Sequence, residues 1–419
     1  MDRIVVRGGN RLSGDVRASG SKNATLALMA ASLLSDGDTL LRNVPRVRDV
    51  DTMAEILGAL GVPCRWDADD PHALHLGGRG VSHPEAPYDL VRKMRASFLV
   101  LGPLVARSGL GRVSEPGGCA IGVRPVDQHL KGLEALGAKV RLEHGYVEAS
   151  AARLRGARIA FDIPTVNGTQ NVMMAAVLAR GRTVIENAAR EPEVAELAGV
   201  LCAMGADVRG AGNDRIEISG VERLEGVTHE VWGDRIEAGT LLAAGLVTRG
   251  DVCVRGVMPG LLDATLEKLR EAGAELEVAG DAIALRFGGA TRGIKVVTAP
   301  YPGFPTDMQA QLMAVLALAE GSSLVTETVF ENRFMHVPEL VRLGADIELA
   351  GRAAHVRGVR ALSGAPVMAT DLRASAGLLL AGLAAEGETV VNRVYHIDRG
   401  YERIEEKLRC LGAEIRREG

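Results

Sequence analysis

Gly132-Leu133-Glu134-Ala135-Leu136-Gly137-Ala138-Lys139-Val140 reads as the last turn of a helix, a glycine stop and the first residues of a strand. Leu133 and Leu136 share one helical face. Gly137 stands where a helix closes through a left-handed residue, a conformation that glycine adopts without strain. The phrase recurs as Leu60-Gly61-Val62, Met204-Gly205-Ala206, Ala272-Gly273-Ala274, Leu343-Gly344-Ala345 and Leu411-Gly412-Ala413. Successive glycines are 76, 68, 68, 71 and 68 residues apart, which marks internal repeats. A second mark stands about 25 residues earlier: Gly37, Gly181, Gly250, Gly321 and Gly387, with Gly109 or Gly111 in the second unit. Strongly apolar stretches such as Ala24 to Leu34 and Met308 to Ala319 precede it, and short strands such as Thr39 to Arg42 and Thr389 to Asn392 follow it.

Each unit therefore carries one nearly all-apolar helix and one amphipathic helix. A helix apolar on every side must be buried on every side. The expected fold is α/β: six repeats of about 70 residues, three per domain, with buried helices surrounded by sheets and the midpoint near residue 230.

Composition bounds the function. The chain has 419 residues, 47% of them hydrophobic, so packed cores are expected and disorder is not. Formal charge is −4, from 49 basic and 53 acidic residues, which argues against nucleic acid as a partner. Aromatics are 3%, too few for base-stacking platforms. Cys64, Cys119, Cys202, Cys253 and Cys410 contain no Cys-x-x-Cys, so neither a disulfide framework nor a zinc ribbon is expected. No apolar run is long enough to span a membrane and the start lacks a signal-peptide core. A cytoplasmic protein, unassociated with membranes, is expected.

The chemistry gathers where the buried helices begin: Ser21-Lys22-Asn23, Lys93-Met94-Arg95, Asn167-Gly168-Thr169, Asp234-Arg235, Thr306-Asp307 and Asp371-Leu372-Arg373. Capping explains Asn, Thr and Asp there. It does not explain Lys22, Arg95, Arg235 or Arg373, since cations are disfavoured at the positive end of the helix dipole. Two readings stand: an anion site for phosphate or carboxylate, or structural ion pairs with Asp234 and Asp371. A second cluster is Glu115-Pro116-Gly117-Gly118-Cys119, with Arg124-Pro125-Val126-Asp127 close behind. Its cysteine is either inert or reactive, with Arg124 favouring the thiolate. The other four cysteines read as plain packing. A third cluster runs from Tyr395 to Glu402 and includes His396, Asp398 and Arg399, where Arg399 reads as opening a helix. Metal-ligand spacing and a Walker loop are both absent, so no metal and no cofactor is expected.

These motifs resemble those of the enolpyruvyl transferase family, in particular the transferases acting on UDP-N-acetylglucosamine. The resemblance runs from Val5 to about Ile415 and includes Ser21-Lys22-Asn23-Ala24, Pro116-Gly117-Gly118-Cys119, Arg124-Pro125-Val126-Asp127, Phe304-Pro305-Thr306-Asp307-Met308-Gln309, Thr326-Glu327-Thr328-Val329-Phe330-Glu331-Asn332-Arg333 and Ala369-Thr370-Asp371-Leu372-Arg373. It implies two inverted, barrel-like α/β domains, one over residues 22–232 and one over 1–21 plus 233–419. It implies transfer of the enolpyruvyl group of phosphoenolpyruvate to the 3-hydroxyl of UDP-N-acetylglucosamine, with loss of phosphate, at the entry to peptidoglycan synthesis and hence to cell shape and division.

The implied roles are these. Lys22, Asn23, Arg124, Arg333, Arg373 and Arg399 bind phosphoenolpyruvate. Cys119 protonates the methylene carbon, can carry a pyruvate adduct and is the target of fosfomycin, as the only readily alkylated thiol. Asp307 takes the sugar hydroxyl proton, and a cap at a helix start is the structural alternative to that role. Asn23, Arg95, Arg124, Pro125, Val126, Asp127, Gln128, Thr165, Val166, Asp307 and Val329 match sugar-nucleotide contacts. Lys22 and Arg399 join Cys119 and Asp307 as catalytic residues. A monomer is expected. Thr165-Val166-Asn167-Gly168-Thr169, Ile163 and Gln128 depart from the family pattern, all on the nucleotide side. The related shikimate-pathway transferase is disfavoured by the Gly-Gly-Cys loop and by Arg124-Pro125-Val126-Asp127. A silent paralogue is disfavoured by the joint presence of Lys22, Cys119, Asp307 and Arg399.

Overall fold

The computed structural model describes residues 2–78, 80–115 and 126–419. Cys119, Arg124 and Pro125 lie outside the described residues. The chain divides into two compact units: residues 20–115 with 126–232, and residues 2–19 with 233–419. Each has its own apolar core.

Among the described residues there are six sheets of four strands, three in each unit. All six share one pattern, an edge strand parallel to its neighbour and then two antiparallel steps. In one of them Lys295–Val297 runs parallel to Ser322–Thr326, which pairs antiparallel with Ala353–Arg357, which pairs antiparallel with Asp346–Ala350. The expected repeat is therefore present as structure.

Strand exchange along the chain explains why neither unit is a simple half of the sequence. Ser13–Arg17 supplies the parallel edge beside Asp251–Arg255, in register Val16 to Val254. Arg3–Arg7 lies between Glu388–Asn392 and Glu414–Glu418, with Val5 opposite Val390 and Arg416. In the other unit Thr228–Glu230 takes the equivalent edge, parallel to Thr39–Arg42.

The chain passes between units at Ser19–Gly20 and Trp232–Gly233. A Cβ on Gly20 would meet the carbonyl oxygen of Asn43 at 1.8 Å, and one on Gly233 that of Gly256 at 1.9 Å. The flanking backbone is held by two buried glutamates. Ser19 N donates to Glu237 Oε2 (2.5 Å) and Trp232 N to Glu196 Oε1 (2.8 Å). Burial raises the proton affinity of both carboxyls.

The helices expected to be buried are so. Within Lys22–Ala31 every residue but Asn23 is buried, and Arg235–Val247, Gln309–Leu316 and Leu372–Ala384 are similar. Each fully buried leucine in them contributes about 1.5–3 kcal/mol. The glycines of the repeat, Gly61, Gly137, Gly205, Gly273, Gly344 and Gly412, all have φ between 93° and 110°, the left-handed cap that the sequence implies.

Two expectations fail. Arg399 does not open a helix. It ends the 3₁₀ turn Val394–Arg399, and the next helix, Ile404–Cys410, begins later. Between the two elements the backbone leaves the helical region, at Gly400 (φ −153°) and at Arg403 (φ 41°), and Tyr401 between them is buried with its hydroxyl 3.0 Å from Thr240 Oγ1. Cys202 and Cys410 are exposed rather than packed, because each stands on the outer side of its amphipathic helix.

Candidate active site

In the unit of residues 20–115 with 126–232, Ser21 caps the helix Lys22–Ala31 by accepting from Ala24 N. That cap sets the first turn, and Lys22 is its first residue. Lys22 is buried, and its Nζ lies 3.2 Å from Oδ2 of Asp49, itself buried in the first turn of Arg48–Ala59. A buried ammonium needs a counter-charge, and Asp49 supplies one. Nothing in the sequence singles Asp49 out, since an acid in the first turn of an amphipathic helix is ordinary. Asn23 follows Lys22 and is half-buried.

Arg95 begins the 3₁₀ turn Arg95–Val100, ahead of Leu101–Ser108, and is half-buried. Thr165 caps Val166–Ala176 by accepting from Gly168 N (3.3 Å). Val126 precedes the helix Asp127–Ala135. Gln128, one of the departures, is buried and tied to two carboxylates. Its Nε2 donates to Asp127 Oδ2 (2.8 Å) and Asp162 Oδ2 (3.0 Å), while its Oε1 accepts from Asp162 N (3.0 Å). Lys131 and then Gln128, both hydrogen-bonded to Asp162, hold that carboxyl below its ordinary range.

In the other unit the charged residues meet directly. Arg333 Nη2 lies 2.9 Å from Asp307 Oδ1, and Arg373 Nη2 lies 3.1 Å from Asp307 Oδ2. Asp307 sits in the 3₁₀ turn Thr306–Met308 that leads into Gln309–Leu316, and the N-cap positions of the two are Pro305 and Met308. Its carboxylate meets two guanidiniums, a partnership that a cap position alone does not imply. Pairing of Arg373 with Asp371 falls. Asp371 Oδ1 accepts from the backbone N of Arg373 (2.8 Å) and Ala374 (3.0 Å), which makes it the cap of Leu372–Ala384. Asp234 caps Arg235–Val247 in the same way.

Two buried groups hold this cluster: Glu327, which heads a charged stretch but has no role assigned from sequence, and Gln311. Glu327 Oε1 accepts from Thr298 Oγ1 (2.8 Å), Val329 N (2.8 Å) and Phe330 N (3.0 Å), and its Oε2 accepts from Thr306 Oγ1 (2.8 Å). One carboxylate thus joins the Asp307 turn to the segment that carries Val329 and leads to Arg333. Beneath them, Gln311 Nε2 shares its hydrogens among Asp307 O (2.9 Å), Thr240 Oγ1 (3.1 Å) and Tyr401 Oη (3.1 Å). The Arg373 guanidinium lies 5.3 Å from the centre of the Tyr401 ring, a cation–π distance.

Burial alone would lower the proton affinity of Arg373, but Tyr401, Asp307 and Asp234 outweigh it and the net shift is upward. Burial, together with the neighbouring Arg333 charge, pushes His336 down to about 4, so its imidazole is neutral at neutral pH. Arg399 is half-buried beside His396, whose proton affinity falls through burial and then through the Arg399 charge. Among the described residues no group of three or more His, Cys, Asp and Glu side chains is placed to hold a metal ion. No helix among them is long and apolar enough to cross a membrane.

The family model described as EPSP synthase (3-phosphoshikimate 1-carboxyvinyltransferase) matches residues 6–408. UDP-N-acetylglucosamine 1-carboxyvinyltransferase of Myxococcus xanthus is 58% identical over 418 residues, covering 100% of both chains. The protein of that name from Anaeromyxobacter sp. is 59% identical over 420 residues, again covering 100% of both. Among solved structures, the enolpyruvyl transferase NikO from Streptomyces tendae superposes with a TM-score of 0.89 at 28% identity, covering 99% of this chain and 98% of that one. EPSP synthase from Acinetobacter baumannii superposes with a TM-score of 0.77 at 18% identity over 100% of both chains, a likeness of fold. Full-length identity at this level, on a six-repeat fold that NikO shares, settles the matter: the chain belongs to the enolpyruvyl transferases, in the family of the UDP-N-acetylglucosamine 1-carboxyvinyltransferases.

Proposed function

We propose that the protein transfers the enolpyruvyl group of phosphoenolpyruvate to the 3-hydroxyl of UDP-N-acetylglucosamine and releases phosphate, the step that commits the sugar nucleotide to peptidoglycan. The observation that carries this is the full-length identity of 55–59% to four relatives of that name. The reaction is an addition followed by an elimination. The sugar oxygen bonds to C2 of the enol while its proton leaves to a base, and C3 gains a proton from an acid. The C2–O bond to phosphate then breaks as C3 gives a proton back.

We assign the roles residue by residue. Lys22, Arg124, Arg333, Arg373 and Arg399, with Asn23, bind the phosphate and carboxylate of phosphoenolpyruvate. Support comes from the burial of Lys22, Arg333 and Arg373, where an ionic contact is strong because water screens it little. Cys119 is the acid at C3 and the site of a pyruvate adduct. Asp307 is the base, and Lys22 and Arg399 stabilise the departing charge. Arg95, Pro125, Val126, Asp127, Gln128, Thr165, Val166 and Val329, with Asn23, Arg124 and Asp307, bind the sugar nucleotide. The enzyme works in the cytoplasm as a monomer, without metal or cofactor, on small molecules only.

The test is phosphate release from phosphoenolpyruvate, measured with UDP-N-acetylglucosamine, with shikimate 3-phosphate and with no acceptor. Release that depends on the sugar nucleotide is expected. Release that depends on shikimate 3-phosphate, or no release with any acceptor, overturns the proposal.

A further inference from the structure

Asp307 and its two arginines differ in how they meet solvent. The Asp307 side chain is 27% exposed, whereas those of Arg333 and Arg373 are 6% and 3% exposed. The carboxylate is therefore the outward member of the triad, and the guanidiniums stand behind it. Arg373 also keeps one donor in reserve, since its buried Nη1 has no hydrogen-bond partner among the described residues. The outward carboxylate holds one side of both guanidiniums, so an anion that binds them there takes the place of Asp307.

Resting on the reading above, in which these arginines bind phosphoenolpyruvate, we infer that Arg333 and Arg373 have a second catalytic role: they hold Asp307 inactive as a base until the substrate anion takes its place. A carboxylate bound by two guanidiniums has its lone pairs engaged and is a poor proton acceptor. When a carboxylate or phosphate of phosphoenolpyruvate takes over the arginine contacts, Asp307 is released with one more negative charge nearby. Both changes raise its proton affinity. The base then becomes competent only when the electrophile is in place. The exchange swaps one anion for another on the same cations, so the buried guanidiniums are never left without a counter-charge, which would be costly.

Competition of this kind lowers the apparent affinity for the anion by the fraction of time the arginines are occupied. The test measures phosphoenolpyruvate binding by calorimetry in two proteins, Cys119→Ser and the double variant Cys119→Ser with Asp307→Asn, each saturated with UDP-N-acetylglucosamine. The Cys119→Ser change prevents adduct formation. If Asp307 competes, binding tightens by roughly three- to tenfold when its charge is removed. Equal or weaker binding overturns the inference.

Removing a negative charge could also tighten binding without any exchange, so a second measurement decides that case. In a crystal structure of the Cys119→Ser ternary complex, Asp307 should have left both arginines, with ligand oxygens on them. Ion pairs that persist beside bound phosphoenolpyruvate overturn the inference even if binding tightens. The two claims also separate cleanly. Sugar-nucleotide-dependent phosphate release with persistent ion pairs rejects the exchange and leaves the proposed function standing, whereas failure of wild-type protein to bind phosphoenolpyruvate rejects both.

Discussion

Arg373 and Asp307, 66 residues apart in the chain, meet through two contacts to one carboxylate oxygen, from Nε at 3.2 Å and from Nη2 at 3.1 Å. This pairing changes what Asp307→Asn should do. If Asp307 were only a helix cap, the asparagine would replace it at little cost. As the counter-charge of two buried guanidiniums, its loss should cost about 1–3 kcal/mol. As the base, its loss should lower turnover by roughly 10²-fold or more. Thermal melting and phosphate release on the same preparation check both. Turnover close to wild type removes Asp307 from the mechanism, and an unchanged melting temperature removes its structural part.

Lys22 and Asp49 form the matching pair in the other unit. Asp49→Ala leaves a buried ammonium short of its counter-charge, which should destabilise that unit by roughly 3 kcal/mol. Urea unfolding checks this. A loss below about 0.5 kcal/mol, typical of surface pairs, would show that other groups around Lys22 carry the compensation.

The thiols should sort by exposure and chemistry. Cys202 and Cys410 are exposed, so a small neutral reagent should reach them as well, and selectivity for Cys119 is expected only of a reagent that needs its anion site. Burial pushes Cys64 up to about 12, and burial with the Asp15 hydrogen bond also raises Cys253. Iodoacetamide at mildly alkaline pH should therefore label Cys202 and Cys410 well before Cys64 and Cys253. Fosfomycin, an anionic epoxide that needs an anion site, should label Cys119 alone. Peptide mapping of wild-type and Cys119→Ser protein distinguishes the reagents, and fosfomycin label persisting in the variant contradicts the assignment of Cys119.

His336 should make stability depend on acid. Burial lowers its folded-state value to about 4, against an ordinary 6.5, so between these values the unfolded chain binds a proton that the folded protein does not. Stability is then fully present above about pH 6.5 and falls as pH drops toward 4, by an amount on the order of 3 kcal/mol. Urea midpoints across this range should slope downward in wild type and more gently in His336→Gln. Parallel slopes would assign the acid sensitivity to other groups.

Much of this was legible along the chain. The glycine caps, the fully apolar helices and the regular spacing are local features, set by backbone conformation and hydropathy period, and they determined the six-repeat α/β architecture. The cations at helix starts were legible for the same reason: Lys22, Arg95 and Arg373 contradict the helix dipole, and a local contradiction shows without a structure. Asp307 was legible as a residue but not in its surroundings.

Tertiary structure alone decided who meets whom. Asp307 takes Arg333 and Arg373 as partners while Asp371, two residues from Arg373, is spent on capping. Asp49 and Glu327 become important only when strands and helices distant in sequence close around them. Burial turns an ordinary first-turn acid or loop glutamate into a counter-charge or a shared acceptor. The helix expected at Arg399 likewise starts only at Ile404, after Tyr401 has been buried in the core and Arg403 has taken a left-handed conformation. Sequence patterns report what each segment favours by itself, but the strength of a charge or hydrogen bond depends on how much water the fold leaves around it, and that is set only once the whole chain has packed.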